Sequence, residues 1–366
     1  MNDYNEGGTE ETGGSLQHLK KVSRIKHAIL QKYLPPWANI LGSQRKVLMY
    51  FDCFAGPGRY ELGGKPVFGS PVIAVTEAIE FLKNRSTQKR LIYLIDDNPK
   101  QVEDLKESLK HLQPYPTNLK VNVLCANSRS YIRDLLQSLD TLAPSFFFVD
   151  PYGHPLPLPV MNTILRRKRT EALINVMWFR INMDLSNTSV QHNVDEMFGD
   201  KEWRTQSFIP AHGIKREKGF LEYFTSRLAC KYVLPFKVRY DVEDSQGGNR
   251  TKYYLLHVSN HVKAVLLMKE VMWPLGDEEG TFDYSGEAQG ILISSTPTVQ
   301  ELESILLKFH GQEIGFDELR EKTWVLPFVE RHYRQVLKQL EGKSVTVQRI
   351  TSKRTGISGL DRIRFK

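Results

Sequence analysis

Two apolar segments, each ending in an acidic residue and a tight turn, constrain the fold of this 366-residue chain most strongly. The first is FDCFAGPGRYELG at 51–63, and the second is FFFVDPYG at 146–153. Both are typical of a buried strand that ends at a turn containing Gly or Pro. In an open α/β sheet, ligands bind in the crevice beyond the carboxyl ends of the strands. The two turns therefore predict a shared ligand site at one edge of a sheet.

Apolar runs of strand length alternate with helical segments from the first turn onward. The five runs are VLMYFDCF, LIYLIDDNP, KVNVLCAN, SFFFVDP and ALINVMWF. Strands buried under helices on both faces give continuous apolar runs, so this α/β alternation predicts a doubly wound parallel sheet. Two alternating segments around SQGGN at 245–249 predict an added hairpin, and hence seven strands. We expect the Rossmann-like sheet of S-adenosylmethionine-dependent methyltransferases.

We place this predicted α/β domain at residues 16–296. The acidic, polar residues 1–15 predict a disordered tail. A helix is expected before the first strand, ending at Pro35-Pro36, because proline removes a helical hydrogen bond. A mostly helical insertion is expected at about 183–228, and a Gly/Asp/Ser-rich linker at 277–297.

The composition favours a cytosolic protein. No apolar run approaches the roughly 20 residues that span a bilayer. The first residues are acidic and polar, the reverse of a signal peptide. The three cysteines lie far apart, without the spacing of a disulfide framework or a zinc site. We therefore expect a reduced, cytoplasmic setting and no metal site.

The first turn contains the residues expected to hold S-adenosylmethionine. Gly56 and Gly58 lack side chains, so the backbone can pass close to the methionine portion of the cofactor. Asp52 is expected to interact with the ammonium of that portion. Asp96, which ends the second strand, is expected to accept from the ribose hydroxyls, and Asn127 to contact the adenine edge. A lone Gly-x-Gly fits a plain tight turn equally well, and that alternative stays open.

The second turn, Asp150-Pro151-Tyr152-Gly153, is the predicted reacting centre. The lone pair of an exocyclic amine such as adenine N6 is delocalised into the ring, which makes the nitrogen a poor nucleophile. Two acceptors aimed at its hydrogens, the Asp150 carboxylate and the Pro151 carbonyl, would favour the pyramidal, nucleophilic form. Tyr152 would stack on the base, worth about 1–3 kcal/mol, and a paired base would first flip out. A β-turn without chemistry is the alternative.

Residues 297–366 predict a small, basic, winged-helix-like domain. Three candidate helices precede two short strands, VTVQRI and RIRFK, which flank a basic turn. From Glu318 to Lys366 there are twelve Lys and Arg against five Asp and Glu, a net charge of +7. Such a surface suits DNA or RNA, and a solvated helix face is the alternative. The predicted nucleic-acid contacts are Arg331, Arg334, Lys353, Arg354, Arg362 and Arg364.

A metal-dependent nuclease is the main alternative chemistry. Asp52, Asp96 and Asp150 each follow an apolar strand, and in a doubly wound sheet they would face one crevice. The sequence contains neither a P-loop nor a Gly-x-Ser-x-Gly elbow, which disfavours a nucleotide triphosphatase and a serine hydrolase.

The order of these motifs resembles the three-Cys-motif partner protein family (TcmP). The resemblance covers most of the chain from about Lys26 onward. It rests on KHAILQKYLPPWANIL, YFDCFAGPGRYELG, FFFVDPYGHPLP, LINVMWFRIN, YYLLHVSNHVKAVLLMKEVMW and the late winged-helix-like segment. It implies a class I methyltransferase fold whose strand-end residues are similar to those of adenine-N6 enzymes acting on nucleic acid. By position, Gly56 and Gly58 match the cofactor turn, Asp96 the ribose acid, and 150–153 the catalytic turn.

The resemblance also implies a partner, a radical-S-adenosylmethionine-like protein with a three-cysteine motif. A second function is therefore a non-catalytic one, in which this chain recruits that partner. The chain departs from the usual amino-methyltransferase pattern at two places. Tyr152-Gly153 stands where Pro and an aromatic residue are usual, and the third strand ends at Asn127 without the common acidic residue.

Overall fold

The computed structural model describes residues 24–139, 141–239, 250–276, 282–283, 298–350 and 356–366. The chain forms two compact units that divide between Gly199 and Asp200. The predicted tail at 1–15 and all of the predicted linker except 282–283 lie outside the described residues. None of the described helices has the length and apolar character that crossing a membrane requires.

The first unit contains the predicted parallel strands. In chain order its strands are β1 (Val47–Asp52), β2 (Arg59–Leu62), β3 (Lys65–Phe68), β4 (Lys89–Asp96), β5 (Leu119–Cys125), β6 (Ser145–Val149) and β7 (Thr170–Val176). Five of them run parallel in the order β5-β4-β1-β6-β7. Strands β6 and β7 are buried over their whole length, as their continuous apolar runs predict.

The helices of the first unit connect these strands. They are α1 (Arg24–Gly42), α2 (Ser70–Leu82), α3 (Pro99–Leu109), α4 (Ser128–Ser138), α5 (Leu158–Leu165), α6 (Trp178–Ser186) and α7 (Gln191–Phe198). The start of α3 follows from local sequence. The Asn98 side chain accepts from the N–H groups of Lys100 and Gln101, and Pro99 takes the first helical position.

The predicted end of the first helix at Pro35-Pro36 is wrong. Helix α1 continues through both prolines to Gly42. Trp37 and Ala38, directly after the prolines, are buried like Tyr33 and Leu34 before them. Burial of this continuous face offsets the hydrogen bonds that the prolines cannot make.

The second unit begins with α8 (Gly213–Ser226), the hairpin strands β8 (Tyr232–Arg239) and β9 (Thr251–Ser259), α9 (Val262–Met272) and β10 (Phe282–Asp283). Strands β8 and β9 pair antiparallel, as their alternating pattern predicts. Residues 183–228, the predicted helical insertion, contain the end of α6 together with α7 and α8.

The largest sheet has the strand order β10-β8-β9-β7-β6-β1-β4-β5. Numbered along the chain without the inserted β2 and β3, the seven long strands run 3-2-1-4-5-7-6 from β5 to β8. This is the strand order of class I methyltransferases, and it confirms the predicted fold class. The two-residue strand β10 was not predicted. Along the chain, the strands are added on one side of β1 as far as β5 and then on its other side from β6 onward. Open α/β sheets bind ligands at such a switch point.

The end of the chain forms a small helical and antiparallel region within the second unit. Its elements are α10 (Val299–Leu306), β11 (Glu313–Gly315), α11 (Phe316–Lys322), α12 (Glu330–Leu340), β12 (Val345–Gln348) and β13 (Arg362–Phe365). The sheet order is β11-β13-β12. Phe316, Leu337 and Ile363 belong to its shared core. The two predicted wing strands pair antiparallel as β12 and β13. Residues 351–355 of the turn between them lie outside the described residues, and the winged-helix assignment stays a prediction.

Candidate active site at the carboxyl edge of the sheet

Polar residues from three adjacent strands meet at the carboxyl edge of the sheet. Asp52 ends β1 in register with Phe148 of β6. Asp150 follows β6 directly, and the pairing of Val149 with Ile174 places Asn175 of β7 beside it. Because neighbouring strands lie about 4.8 Å apart, these strand ends bring Asp52, Asp150 and Asn175 into one row.

Two donors hold the Asp150 carboxylate. The Nζ of Lys26, on α1, lies 2.7 Å from Oδ1 and 2.7 Å from Oδ2. The Nδ2 of Asn175 donates to Oδ1 at 2.7 Å. The Lys26 and Asp150 side chains are only 12% and 14% exposed. Lys26 therefore supplies the counter-charge that a largely buried carboxylate needs.

Asp52 is completely buried beside this pair. The Tyr50 hydroxyl donates to its Oδ2 at 3.3 Å. Among the described residues, no donor reaches Oδ1 in hydrogen-bonding geometry. Burial raises the pKa of Asp52 to about 7, with the Ser70 hydroxyl offsetting part of the shift and the Asp150 charge adding to it. An ammonium group would pair with Oδ1 and lower this pKa, which is the interaction predicted for the methionine portion of the cofactor.

Asp96 holds the turn that follows β1. The Gly56 N–H donates to its Oδ2 at 2.9 Å, and the Asn98 N–H donates to its Oδ1 at 2.9 Å. Gly56 adopts a φ of +61°, which favours glycine. Each Asp96 oxygen keeps a further lone pair, so the carboxylate can still accept from a ribose hydroxyl.

Gly58 is required by packing within the protein. Its φ is +75°, and a Cβ at this position would lie 2.8 Å from Leu105 Cδ1 and 3.2 Å from Ser108 Cβ. The Ser108 hydroxyl donates to the Pro57 carbonyl at 2.8 Å, which ties the turn to α3. Gly58 thus allows the turn to approach α3 closely.

A hairpin that the sequence analysis did not predict, β2–β3, is inserted between the glycine turn and α2. The Gly69 N–H donates to the Gly58 carbonyl at 2.8 Å and closes its base. Tyr60, on β2, folds back over the turn. A Cβ on Gly56 would lie 2.5 Å from the Tyr60 Oη, and a Cβ on Gly69 would lie 2.7 Å from Tyr60 Cε2.

The charges of the strand-end carboxylates act on Tyr60. Burial raises the pKa of Tyr60 well above its usual value, and the charges of Asp150, Asp52 and Asp96 each raise it further. The Tyr60 phenol therefore lies within electrostatic range of all three predicted carboxylates. His27 of α1 lies on the same side, with its ring centroid 6.1 Å from that of Tyr60.

His27 is a neutral group in this cluster. Burial lowers its pKa to about 4, Lys26 lowers it further, and Asp150 opposes the shift. The imidazole is therefore uncharged at neutral pH, and Lys26 is the cation that faces Asp150.

The other predicted site residues have simpler surroundings. Asn127 is the N-cap of α4, where its side chain accepts from the N–H groups of Arg129 and Ser130. Pro151 is buried, whereas Tyr152 is 83% exposed and its ring is open to a stacking partner. Gly153, with a φ of +145°, lets the turn leave the sheet.

The donor and acceptor groups at this edge fit S-adenosylmethionine. The unpaired Oδ1 of Asp52 suits the ammonium, and Asp96 suits the ribose. In this structure the Tyr60 side chain fills the space above Gly56. A cofactor seated on the glycine turn requires that side chain to move.

The predicted nuclease alternative depends on converging metal ligands. Among the residues that the structure describes, no group of three or more His, Cys, Asp or Glu side chains could hold a metal ion. The Asp150 carboxylate is instead paired with Lys26, and the Asp96 carboxylate accepts from the N–H groups of Gly56 and Asn98.

Three of the predicted nucleic-acid contacts pair with acidic residues. Arg334 donates to Glu330 on the same helix, and Arg362 and Arg364 lie 3.2 Å and 3.4 Å from Glu313. Arg331 is exposed on α12. Lys353 and Arg354 lie outside the described residues.

The amino end of α12, the presumed recognition helix, is engaged within the second unit. The Glu330 N–H donates to Glu270 of α9 at 2.7 Å, and Arg320 lies 3.0 Å from the same carboxylate and 2.7 Å from that of Glu330. The His332 ring packs against Trp273 at a centroid distance of 4.8 Å. The first turn of α12 is therefore engaged in contacts within the second unit, although Arg331 itself is exposed.

The sequence analysis missed Lys26, Asn175 and Tyr60. A usable signal existed for Asn175, because LINVMWF is otherwise apolar and the amide falls at the strand end. Lys26 has no local signal, since its partner is 124 residues away.

No protein-family model matches this chain, and no curated protein matches it. Several solved structures are similar. Protein LPL1258 from Legionella pneumophila is 14% identical with a TM-score of 0.38, over 68% of this chain and 86% of that one. The SAM-dependent methyltransferase from Agrobacterium tumefaciens is 12% identical with a TM-score of 0.34, over 67% of this chain and 64% of that one.

Human methyltransferase-like protein 13, in complex with SAH, is 14% identical with a TM-score of 0.32, over 68% of this chain and 91% of that one. The strand order of the sheet identifies the fold independently of these likenesses.

Proposed function

We propose that this protein is an S-adenosylmethionine-dependent methyltransferase that acts on an exocyclic amine of nucleic acid, of the adenine-N6 type. The observation that carries the proposal is the row of polar groups at the carboxyl edge of the sheet, where Asp52, Asp150 and Asn175 lie at the ends of adjacent strands. Beside this row, Asp96 holds the Gly56 turn. In a class I sheet this is the edge that binds ligands.

Each carboxylate has a distinct task. Asp52 binds the ammonium of the cofactor through its unpaired oxygen, and Asp96 binds the ribose while it holds Gly56. When bound, S-adenosylmethionine supplies an electrophilic methyl group. Asp150 accepts an N–H of the amine and favours its pyramidal form, and the Pro151 carbonyl offers another acceptor.

Lys26 and Tyr152 prepare the substrate side. Lys26 supplies the counter-charge to Asp150, which offers its remaining acceptor site to the amine. The exposed Tyr152 ring gives the base a surface to stack on. Arg331, with Lys353 and Arg354 of the predicted wing, would contact phosphates, and affinity would then fall steeply with salt.

Calorimetry and methyl transfer test this proposal. We expect S-adenosylmethionine and its demethylated product to bind, Asp96→Asn to weaken binding at least about tenfold, and the exposed neighbour Asp97→Asn to leave it unchanged. The unaltered protein should transfer labelled methyl groups to nucleic acid. The rate of this transfer should fall at least about a hundredfold in Asp150→Asn. Absence of both binding and transfer in the unaltered protein would overturn the proposal.

One observation favours a second candidate, a non-catalytic partner of a radical-S-adenosylmethionine-like three-Cys-motif protein. Tyr60 fills the space above Gly56, as expected of a site that no longer takes a cofactor. Co-purification of the two proteins, with no methyl transfer to any nucleic acid, would support this function. Methyl transfer by the isolated chain would contradict it.

A further inference from the structure

The Asn175 amide has a fixed orientation. An ionised carboxylate only accepts hydrogen bonds, so the amide must present its nitrogen to Asp150. That nitrogen lies 2.7 Å from Asp150 Oδ1. The Asn175 oxygen therefore points away from Asp150, and no described donor reaches it although the residue is only 1% exposed.

The acceptor sites of Asp150 are nearly all in use. A carboxylate offers about four lone-pair sites, two on each oxygen. Lys26 and Asn175 both donate to Oδ1, and Lys26 also lies against Oδ2. One site is left, on Oδ2. Asp150 can therefore accept only one of the two hydrogens of a primary amine.

Asp52 and Asn175 lie on either side of Asp150, and each has a side-chain oxygen that can still accept a hydrogen bond. Both are buried, and no donor among the described residues reaches the Oδ1 of either one. Asp52 is the last residue of β1 and Asn175 the penultimate residue of β7, the strands on either side of β6. A buried acceptor without a donor is costly, so native proteins keep few of them. Asp52 directly precedes the glycine turn, where the cofactor is expected. The Asn175 oxygen lies on the other side of Asp150, so we assign it to the substrate.

We propose that Asn175, in place of the Pro151 carbonyl, is the second acceptor for the substrate: its side-chain oxygen accepts the second N–H of a primary amine, while Asp150 accepts the first. This inference rests on the proposed function and names its substrate more closely. In the transfer, a nitrogen–carbon bond forms, the carbon–sulfur bond breaks, and one N–H proton passes to the Asp150 carboxylate. The product has a single N–H and cannot satisfy both acceptors. The enzyme therefore stops after one methyl group and binds the methylated base more weakly.

Paired oligonucleotides test the inference by binding and by turnover. The probes are a single-stranded oligonucleotide with one adenine and the same strand with N6-methyladenine, both measured with the demethylated cofactor present. We expect the unaltered protein to bind the adenine strand at least about tenfold more tightly, from the loss of one hydrogen bond to a buried acceptor. Asn175→Ala should lose this discrimination.

Asn182→Ala is the matched control. Asn182 lies on α6, and its side-chain oxygen is likewise buried, with no donor within reach in the part of the chain that the structure describes. The control should keep the discrimination, and unchanged affinity for the demethylated cofactor should show that Asn175→Ala is folded. Equal binding of both strands by the unaltered protein, discrimination that survives in Asn175→Ala, or a dimethylated product would each overturn the inference. Discrimination without any methyl transfer would support the inference and overturn only the proposed function.

Discussion

The Lys26 ammonium contacts both carboxylate oxygens of Asp150 at 2.7 Å, and the pair is mostly shielded from water. The two residues are separated by 124 positions, so the pair joins α1 to the end of β6. A buried charge left without its partner is strongly destabilising, whereas loss of both charges is tolerated better.

A double-mutant cycle measures this coupling. We expect Lys26→Met to lower the free energy of unfolding by about 3–5 kcal/mol, because it leaves Asp150 unpaired. The double variant with Asp150→Asn should recover part of that loss. Urea unfolding of the four proteins gives the coupling energy, and additive effects would show that the pair contributes none.

Asp52 makes stability depend on pH. Its pKa is about 7 in the folded protein and about 3.9 in the unfolded chain. Between these values the folded state binds more protons, so the free energy of unfolding falls as pH rises from about 4 to 7. Asp52→Asn should therefore stabilise the protein by about 2–4 kcal/mol at pH 8 and by little at pH 4. Denaturant titrations at the two pH values check this, and an equal effect at both would contradict it.

Cofactor binding should release a proton through the same carboxyl group. A cationic ammonium against Asp52 lowers its pKa, so part of the population ionises on binding near pH 7. Calorimetry in buffers of different ionisation enthalpy measures the release. Asp52→Asn should abolish it, and an unchanged release in that variant would assign the proton to another group.

Gly58 and Gly64 form a matched pair for the role of the glycine turn. Both have a φ of +75°, but a Cβ on Gly58 would meet α3, whereas a Cβ on Gly64 would meet nothing within 4 Å. Gly64→Ala should cost about 1 kcal/mol from backbone strain alone. Gly58→Ala should cost about 2–4 kcal/mol, because overpacking adds to the strain. Equal losses of stability in the two variants, measured by thermal unfolding, would show that α3 shifts to accommodate the added methyl group.

Tyr60 variants determine whether its ring competes with the cofactor. Tyr60→Ala removes the side chain that lies over Gly56. If that side chain must move before the cofactor binds, the variant should bind the demethylated cofactor at least about tenfold more tightly than the unaltered protein. Tyr60→Phe removes only the Oη, the Tyr60 atom nearest to Gly56, and should give a smaller gain in affinity. Weaker binding by Tyr60→Ala would instead make the ring part of the cofactor site.

The sequence predicted the three strand-end carboxylates because each one stops an apolar run, and strand ends share an edge. It did not predict which donors they face. Lys26 and Asn175 reach Asp150 through tertiary structure, and neither partner is local in sequence. Continuation of α1 through Pro35-Pro36 likewise depends on the burial of Trp37, which propensity alone does not reveal.

The glycine turn illustrates a second limit. The sequence predicted a tight turn at Gly56 and Gly58, and both residues have a positive φ. Gly58 is also needed because a side chain there would collide with α3, which the sequence does not reveal. The hairpin at 59–68 was missed because its Gly63-Gly64 turn follows the glycine turn so closely. Asn127 was predicted to contact adenine, and the structure gives its side chain the work of a helix cap.

The β2–β3 hairpin starts and ends at the same point of the fold, where the Gly69 N–H donates to the Gly58 carbonyl. A side loop whose two stems touch can be shortened or exchanged without rerouting the main chain into α2. The tyrosine above the glycine turn is therefore carried by a separable appendage, and ligand access could change in related chains while the sheet beneath stayed the same.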